Sequence, residues 1–319
     1  MSASLATALG SGAEALSLLR GGERWRRLPP NLRGAALITL AAVGFTSAWV
    51  LAKLLIAQGV HPMQIALFRS VFALPALLPF LCHGGRGLFR TRHPRLHLAR
   101  ALCGGLGMIL SFYALAYMPL AELTALGFTS PLFTVLFAAL FLGERVGWRR
   151  CLAVAVGFLG VVIIVQPGSG TLHLVALLPV GAAMLMATSI TIVKRFPASE
   201  SQSVLLLYVV AATIAVSLVP AILNWHPITP PQWLLLAAVG LVSIGAHSLF
   251  IYGFRVGENS FVAPFDYTRL LFAAAAGVLL FGEVPGYNTL LGALVVIAAT
   301  LYIVEREARR ARAARRGGA

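Results

Sequence analysis

Two ionisable side chains, Asp266 and Arg269, lie in an otherwise apolar stretch, SFVAPFDYTRLLFAAAAGVLLFGE, from Ser260 to Glu283. Residues at i and i+3 are neighbours on one face of a helix. A charge at the centre of a bilayer costs about 2.5–3.5 kcal/mol on insertion scales, so it is retained only with partners or water. Two interpretations are open. The pair is an intrahelical clip, or it is a site in which Arg269 binds a substrate anion while Asp266 takes a proton or orients the ligand.

Four further ionisable side chains lie in or beside apolar runs. Lys53 and Arg69 are cations, and the excess of positive charge predicts attraction of an acidic or zwitterionic solute. Lys53 is one turn from the end of its run, where it can extend toward the surface. Glu122 either pairs with one of these cations or begins a helix, where a carboxylate is stabilised by the positive end of the helix dipole. His247 is a packing residue or a proton carrier. The proton-coupling candidates are therefore Asp266, Glu122 and His247.

Composition indicates the environment that must hold these groups. The chain has 319 residues, is 59% hydrophobic and 11% charged, and has a mean hydropathy of +0.88. Soluble domains carry about 25% charged residues, so this chain belongs in lipid. Its net charge of +15 comes in short blocks between apolar runs, which indicates membrane orientation rather than nucleic-acid binding. Three cysteines show neither metal-ligand spacing nor a disulfide framework, so no metal and no cofactor are expected.

Ten apolar runs are long enough to be transmembrane helices of about 20 residues. They fall near residues 34–57, 62–82, 98–118, 121–142, 149–166, 173–194, 202–223, 231–253, 259–281 and 286–304. All but three of the 25 basic residues fall on one side of this arrangement, and the three exceptions are Lys53, Arg69 and Arg269. By the positive-inside rule both termini are cytoplasmic, with tails at 1–33 and 305–319. The basic residues of the first tail follow its apolar part, unlike a secretory signal.

The chain also repeats itself at a constant offset of 139 residues, as from Tyr113 to Tyr252. The match includes Phe128 with Tyr267, Thr129 with Thr268, and the pairs Gly143-Glu144 and Gly282-Glu283. The repeats, 34–166 and 173–304, each hold five spans. An odd number makes the second repeat enter the membrane from the opposite side, as in secondary transporters with a site between the repeats. The Gly-Glu pairs are interpreted as helix-ending, loop-fixing residues outside that site.

Aromatic residues extend the predicted site. Thr46, Trp49 and Lys53 form one stripe of the first span, at i, i+3 and i+7, which favours an interior wall over a lipid-facing surface. The matched tyrosines Tyr113 and Tyr252, and Tyr267 beside Asp266, are expected to surround a planar or partly apolar substrate. The predicted substrate-binding residues are Trp49, Lys53, Arg69, Tyr113, Tyr252, Asp266, Tyr267 and Arg269.

These features resemble the EamA family of the drug/metabolite transporter superfamily. The resemblance is carried by the ten spans in two repeats, RSVFALPALL with Arg69, YALAYMPLAELTALGFTSPLFTVLFAALFLGE, and the endings FLGERVGWRR and LFGEVPGYNT. It covers about residues 34–304. It implies transport of amino acids and their derivatives, vitamins, nucleotide-like metabolites or drugs, inward or outward. The second repeat departs from the pattern where Leu270 replaces the matched Pro131, which points to the ninth span for specificity.

The sequence thus predicts an all-α integral membrane protein of ten helices in two inverted repeats, located in the cell inner membrane. The predicted function is secondary transport of a small anionic or zwitterionic metabolite by alternating access. Drug or metabolite efflux and lipid flipping are alternatives, and a passive channel is a third. No HExxH motif, paired loop carboxylates or Gly-rich nucleotide loop supports an enzyme. Expected partners are the solute and the bilayer, without nucleic acid; a homodimer stays open.

Overall fold

The computed structural model describes Trp25 and residues 28–84, 94–143, 147–166, 173–193 and 202–317. Lys194, Glu144 and most of the tail at 1–33 lie outside these ranges. The helices are α1 (Pro30–Ala57), α2 (Pro62–Gly84), α3 (Pro94–Tyr117), α4 (Leu120–Gly127), α5 (Ser130–Leu142), α6 (Trp148–Val165), α7 (His173–Val193), α8 (Gln202–Leu223), α9 (Pro230–Val256), α10 (Asn259–Asp266), α11 (Thr268–Phe281) and α12 (Tyr287–Gly317).

The predicted all-helical membrane fold is confirmed. Within the described ranges there is no β-strand, and eight helical segments are long and apolar enough to cross a membrane. The 23-residue α2 and the apolar part of α8, Tyr208–Leu223, occupy the two other predicted spans. Since α4 with α5, and α10 with α11, each form one apolar segment, the twelve helices make ten spans.

The fourth and ninth spans are each interrupted midway, at matched positions of the two repeats. The hydroxyl of Thr129 donates to the carbonyl of Leu126, and the matched Thr268 donates to Phe265, both at 2.6 Å. Backbone bonds at both breaks become i to i−3, as from Tyr267 to Pro264 at 3.2 Å. Such side-chain bonds compete with helical bonding and bend helices. The repeated threonine therefore explains why both spans break although Pro131 has no counterpart in the second repeat.

Helices pack mainly across the two repeats rather than within one repeat. The strongest pairs are α1 with α9, and α3 with α7, which exchange under the repeat symmetry. The pairs α2 with α8 and α6 with α12 map onto themselves, so they flank the symmetry axis. The main core contains residues of both repeats, such as Phe112 and Leu126 from the first and Leu236 and Val296 from the second. The repeats therefore share one interior.

Glycine allows the closest of these approaches, between α6 and α12. A Cβ added at Gly292 would lie 2.5 Å from the carbonyl oxygen of Gly160, closer than real Cβ contacts. We expect Gly292→Val to lower the stability of the protein by about 1–3 kcal/mol, the usual cost of overpacking. Thermal unfolding in detergent measures this. Gly245→Val is the matched control, because Gly245 is also helical but a Cβ there would lie in open space.

The loops at the end of the bundle opposite the chain termini are tied together by Gln64. Its amide nitrogen donates to the carbonyl of His226 at 2.9 Å, and its amide oxygen accepts from the backbone of His61 at 3.2 Å. The His61 ring contacts the Tyr113 ring edge-on, with centroids 5.9 Å apart. Burial, followed by the charge of His226, lowers the pKa of His61 below its usual value.

This lowered pKa predicts a small pH dependence of stability. The unfolded chain binds the His61 proton more readily than the folded chain, so the stability is full above about pH 6.5 and falls as pH drops below that value. His61→Asn keeps an acceptor at the Nδ1 position for the backbone of Met63 but removes the titration. We expect the melting temperature to fall less between pH 7.5 and pH 5.5 in His61→Asn than in the wild type. Equal slopes would contradict the assignment.

Candidate functional site

The two helix breaks meet in the shared interior. The rings of Phe128 and Tyr267, which occupy matched positions in the repeats, lie 4.7 Å apart between centroids. Two symmetry-matched residues contact each other only where the axis passes between them. Broken helices near the midplane, at the interface of inverted repeats, are where transporters of this architecture bind substrate and ions. This point is therefore the natural centre of a site.

Arg269 lies beside this centre, at the start of α11. Its guanidinium carbon is 4.8 Å from the Phe128 ring centroid and 5.5 Å from that of Phe45 on α1. Its Nη2 lies 3.4 Å from Oδ2 of Asp266, so the predicted i, i+3 pair is formed. The Thr46 hydroxyl reaches the Arg269 carbonyl at 3.5 Å. Arg269 of the second repeat is thus held against aromatic rings of the first.

The Asp266–Arg269 pair leaves hydrogen-bonding capacity unused. One contact at 3.4 Å is longer than a charge-assisted hydrogen bond of about 2.7–2.9 Å. Among the described residues, Oδ1 of Asp266 and Nε of Arg269 are buried and have no hydrogen-bond partner. A clip that served only to neutralise two charges would pair these atoms. The geometry instead leaves one acceptor of Asp266 and one donor of Arg269 unused.

Arg69 of α2 supplies the second interior cation. Its Nε donates to the Ser243 hydroxyl on α9 at 3.0 Å, and its Nη1 lies 3.2 Å from the sulfur of Met108 on α3. The Phe112 ring centroid is 6.0 Å from the guanidinium. Within the part of the chain that the structure describes, no carboxylate is within ion-pair distance of Arg69. Its charge is therefore compensated only by weak partners.

His247 connects the surroundings of the two arginines. Its Nδ1 donates to the carbonyl of Ser243 at 3.0 Å, and Ser243 also accepts from Arg69. The imidazole meets Phe45 edge-on with centroids 4.8 Å apart, and Phe45 in turn faces Arg269. Contacts through Ser243, His247 and Phe45 thus link the surroundings of Arg69 to those of Arg269.

The structure brings most of the predicted residues to this site. Trp49 packs against Phe112 at 5.1 Å between centroids, so the predicted stripe of α1 does face the interior. Tyr267 contacts Phe128, with 4.7 Å between the ring centroids. With Arg69, His247, Asp266 and Arg269, these residues form the candidate site.

Four predicted residues lie elsewhere: Tyr113, Tyr252, Glu122 and Lys53. Tyr113 contacts His61 near the loops, and Tyr252 is 39% exposed on α9. The reason is helical rotation: at about 100° per residue, Tyr252 lies on the opposite face of α9 from Ser243. Glu122 lies half-buried in the first turn of α4, where its charge suits the helix dipole.

Lys53 does not extend to the surface, contrary to the expectation. Its Nζ forms an ion pair with Glu283 and donates to the carbonyl of Met118 at 2.9 Å. Lys53 is seven residues, about 10 Å of helix, beyond Thr46, so its role as a substrate ligand stays a prediction. Glu283 ends α11 as expected, since the preceding Gly282 has φ 67°. Glu283 has in addition a contact role that the sequence did not indicate.

Sequence reasoning missed four residues of the site: Phe45, Met108, Phe112 and Ser243. A partial signal exists for two of them. Phe45 is one turn before Trp49, and Ser243 is one turn before His247, so each shares a helical face with a predicted residue. Met108 and Phe112 also form an i, i+4 pair, but nothing local distinguishes that pair from other core pairs of α3.

Known proteins share this architecture. Residues 32–166 and 173–305 each match the EamA-like transporter family. A riboflavin transporter of Vibrio cholerae is 33% identical over 285 residues, 88% of this chain and 96% of the relative. A Rickettsia felis S-adenosylmethionine uptake transporter is 33% identical over 282 residues, 88% and 95% of the two chains. The pseudopaline exporter CntI of Pseudomonas aeruginosa is 30% identical over 273 residues, 84% and 94%.

A solved crystal structure has the same fold, with a TM-score of 0.53 at 21% identity over 84% of this chain and 98% of the other. The apolar helices make the chain a multi-pass membrane protein, and its bacterial relatives indicate the inner membrane. On two matched repeats and relatives of about one-third identity over most of its length, the chain belongs to the EamA-like transporter family, within the drug/metabolite transporter superfamily.

Proposed function

We propose that this chain is a secondary transporter of a small organic metabolite with an anionic or zwitterionic group. The relatives are named for small metabolites, which supports the general class. The observation that carries the finer proposal is Arg69, an interior cation that has no carboxylate partner among the described residues. An uncompensated interior charge is costly and marks a pathway or ligand site. A substrate anion would supply the missing counter-charge.

The Asp266–Arg269 pair supports a ligand that presents a donor beside an acceptor. The unused Oδ1 of Asp266 would accept from an ammonium or N–H group, and the unused Nε of Arg269 would donate to a carboxylate or carbonyl oxygen. An α-amino-acid head group has both, and so does the edge of a cyclic imide. Such a pair discriminates strongly between substrates, because an analogue that lacks one of the two groups leaves a buried atom of the pair without a hydrogen bond.

Aromatic rings around the arginines favour a substrate with a planar part. Trp49 and Phe112 lie on the Arg69 side, and Phe45, Phe128 and Tyr267 on the Arg269 side. Riboflavin and S-adenosylmethionine, named in the relatives, each contain a planar ring system. We infer that the rings receive the planar part of the substrate while the charged side chains fix its polar end.

The shared interior supports alternating access as the mechanism. Since each repeat contributes one arginine and packs chiefly on the other repeat, a rocking motion of one against the other would expose the same site to each side in turn. In this proposal both termini are cytoplasmic, and Asp266 and His247 are the candidates for proton coupling, with Glu122 as a third. Export is the second candidate direction, because one relative is named as an exporter.

A metabolite screen tests this proposal. Purified protein in liposomes is given a mixture of amino acids, nucleosides, vitamins and their derivatives, with and without an imposed pH gradient, and solutes are measured in both directions. We expect uptake or efflux of a solute with an anionic or zwitterionic group, and faster flux under a proton gradient if protons are coupled. Absence of flux for every solute in the mixture, together with movement of labelled lipid head groups between the leaflets of the same liposomes, would contradict the proposal and favour a flippase.

A further inference from the structure

A partly buried ion pair joins the two repeats at the end of the bundle opposite the chain termini. Lys53 is on α1 of the first repeat and Glu283 follows α11 of the second, 230 residues apart in sequence. Their side chains are 13% and 19% exposed. The Lys53 ammonium also lies 5.4 Å from the ring centroid of Phe281. The pair is therefore an interior contact rather than a surface salt bridge.

Glu283 also reaches the helix that leads to the candidate site. Its Oε2 accepts from the backbone N–H of Leu120, the first residue of α4, at 3.0 Å. The preceding Pro119 has no side-chain oxygen to cap that helix, so the second repeat supplies the cap. Helix α4 has eight residues, about 12 Å in length, and ends next to Phe128. The Glu283 carboxylate thus holds the first residue of α4, and the ring of Phe128 at the other end of α4 contacts Arg269.

An ion pair is well suited to a contact that must open and close. Burying two charges costs almost as much as their attraction returns, so a buried pair contributes little net stability. When the contact opens, water solvates both ions and replaces the lost attraction. An apolar contact would instead expose hydrophobic surface at a cost proportional to its area. The closed and open states of a paired contact are therefore close in free energy.

We infer that Lys53 and Glu283 form a closure between the repeats, which holds this end of the bundle shut and separates when the site opens toward it. The inference rests on the alternating access proposed above. Glu283 acts as a positioning residue through α4, so opening this contact frees the half-helix that ends at Phe128. In this assignment, neutralising one partner leaves a lone charge in the closed state and shifts the protein toward the open state.

Distance measurements between spin labels test the closure without a substrate. Nitroxides are placed at Gln58 in the first repeat and at Val284 in the second, both exposed at this end, after Cys82, Cys103 and Cys151 are replaced by serine. The variants are Lys53→Met, Glu283→Gln and the exchanged pair Lys53→Glu/Glu283→Lys. Because removal of one partner of a buried pair is strongly destabilising, we expect each single variant to raise the open-to-closed ratio at least about tenfold.

The exchanged pair is the discriminating variant. It restores opposite charges, so we expect the closed population to return, but only in part, because the ammonium that replaces the Glu283 carboxylate cannot accept from the backbone of Leu120. It also keeps the test valid if a single variant does not fold. A single, unchanged distance in the wild type and in every folded variant would overturn the closure. Open populations without solute flux in liposomes would support the closure and contradict the transport proposal, so the two failures are distinguishable.

Discussion

Arg69→Leu is expected to abolish transport while leaving the protein at least as stable as the wild type. Arg69 has no carboxylate partner among the described residues, so removing its charge removes a desolvation cost from folding. A bound substrate anion would lose its cationic partner. This loss weakens substrate binding by about 2–5 kcal/mol, which is at least about 30-fold in apparent affinity. Flux assays in liposomes together with thermal unfolding in detergent measure both effects.

Two further substitutions make the Arg69 result specific. Arg69→Lys keeps the charge but lacks the planar fork that binds a carboxylate through two bonds, so intermediate flux is expected. Arg149→Leu is the matched control, because Arg149 is exposed at the start of α6 and stacks on Trp148. Normal flux in Arg69→Leu would mean that this cation has a packing role.

The double variant Asp266→Leu/Arg269→Leu is expected to fold and to lose transport by about 100-fold or more. If the pair were only a clip, two leucines would replace it at little cost, since buried pairs seldom gain net stability over apolar residues. If the unused Oδ1 and Nε atoms bind substrate, both ligand contacts disappear together. Flux and unfolding are again compared.

A second ion pair between residues close in sequence provides the control for this variant. Glu305 and Arg309 pair at i, i+4 on α12, and both are largely exposed. Glu305→Ala/Arg309→Ala is expected to keep wild-type flux, because exposed pairs contribute about 1 kcal/mol or less. Full transport by the leucine double variant would establish the clip interpretation and remove Asp266 and Arg269 from the site.

Local sequence patterns are sufficient to predict the spans and to predict which neighbouring residues share a helical face. The ten spans follow from apolar run length, and the Asp266–Arg269 contact follows from i, i+3 spacing. The interior direction of the Trp49 stripe likewise follows from helical periodicity. Each of these features depends on a few adjacent residues.

Contacts between repeats depend on helix packing that local pattern does not contain. Glu283 pairs with Lys53, which lies 230 residues earlier in the chain. No local sequence pattern connects two residues so far apart. Repeat symmetry also misled: Tyr113 and Tyr252 match in sequence, but the site is asymmetric, since Arg269 matches Ser130 and Asp266 matches Gly127. Tyrosines at matched positions therefore have different surroundings.

The breaks of the fourth and ninth spans depend on both local sequence and helix packing. Thr129 and Thr268 were visible as a matched pair, and each makes the same short bond to its own helix. What the sequence did not contain was the meeting of the two breaks at Phe128 and Tyr267. That contact follows from packing about the axis, and Arg269 lies against one of its two rings, Phe128.

Counterflow in liposomes measures most directly whether the two repeats bind one solute at one shared site. Vesicles are loaded with the unlabelled solute found in the screen, and labelled solute is added outside. A single site exposed to each side in turn predicts transient accumulation of label in the wild type and none in Arg69→Leu. Label that merely equilibrates, at a rate proportional to concentration and indifferent to Arg69, would contradict the account.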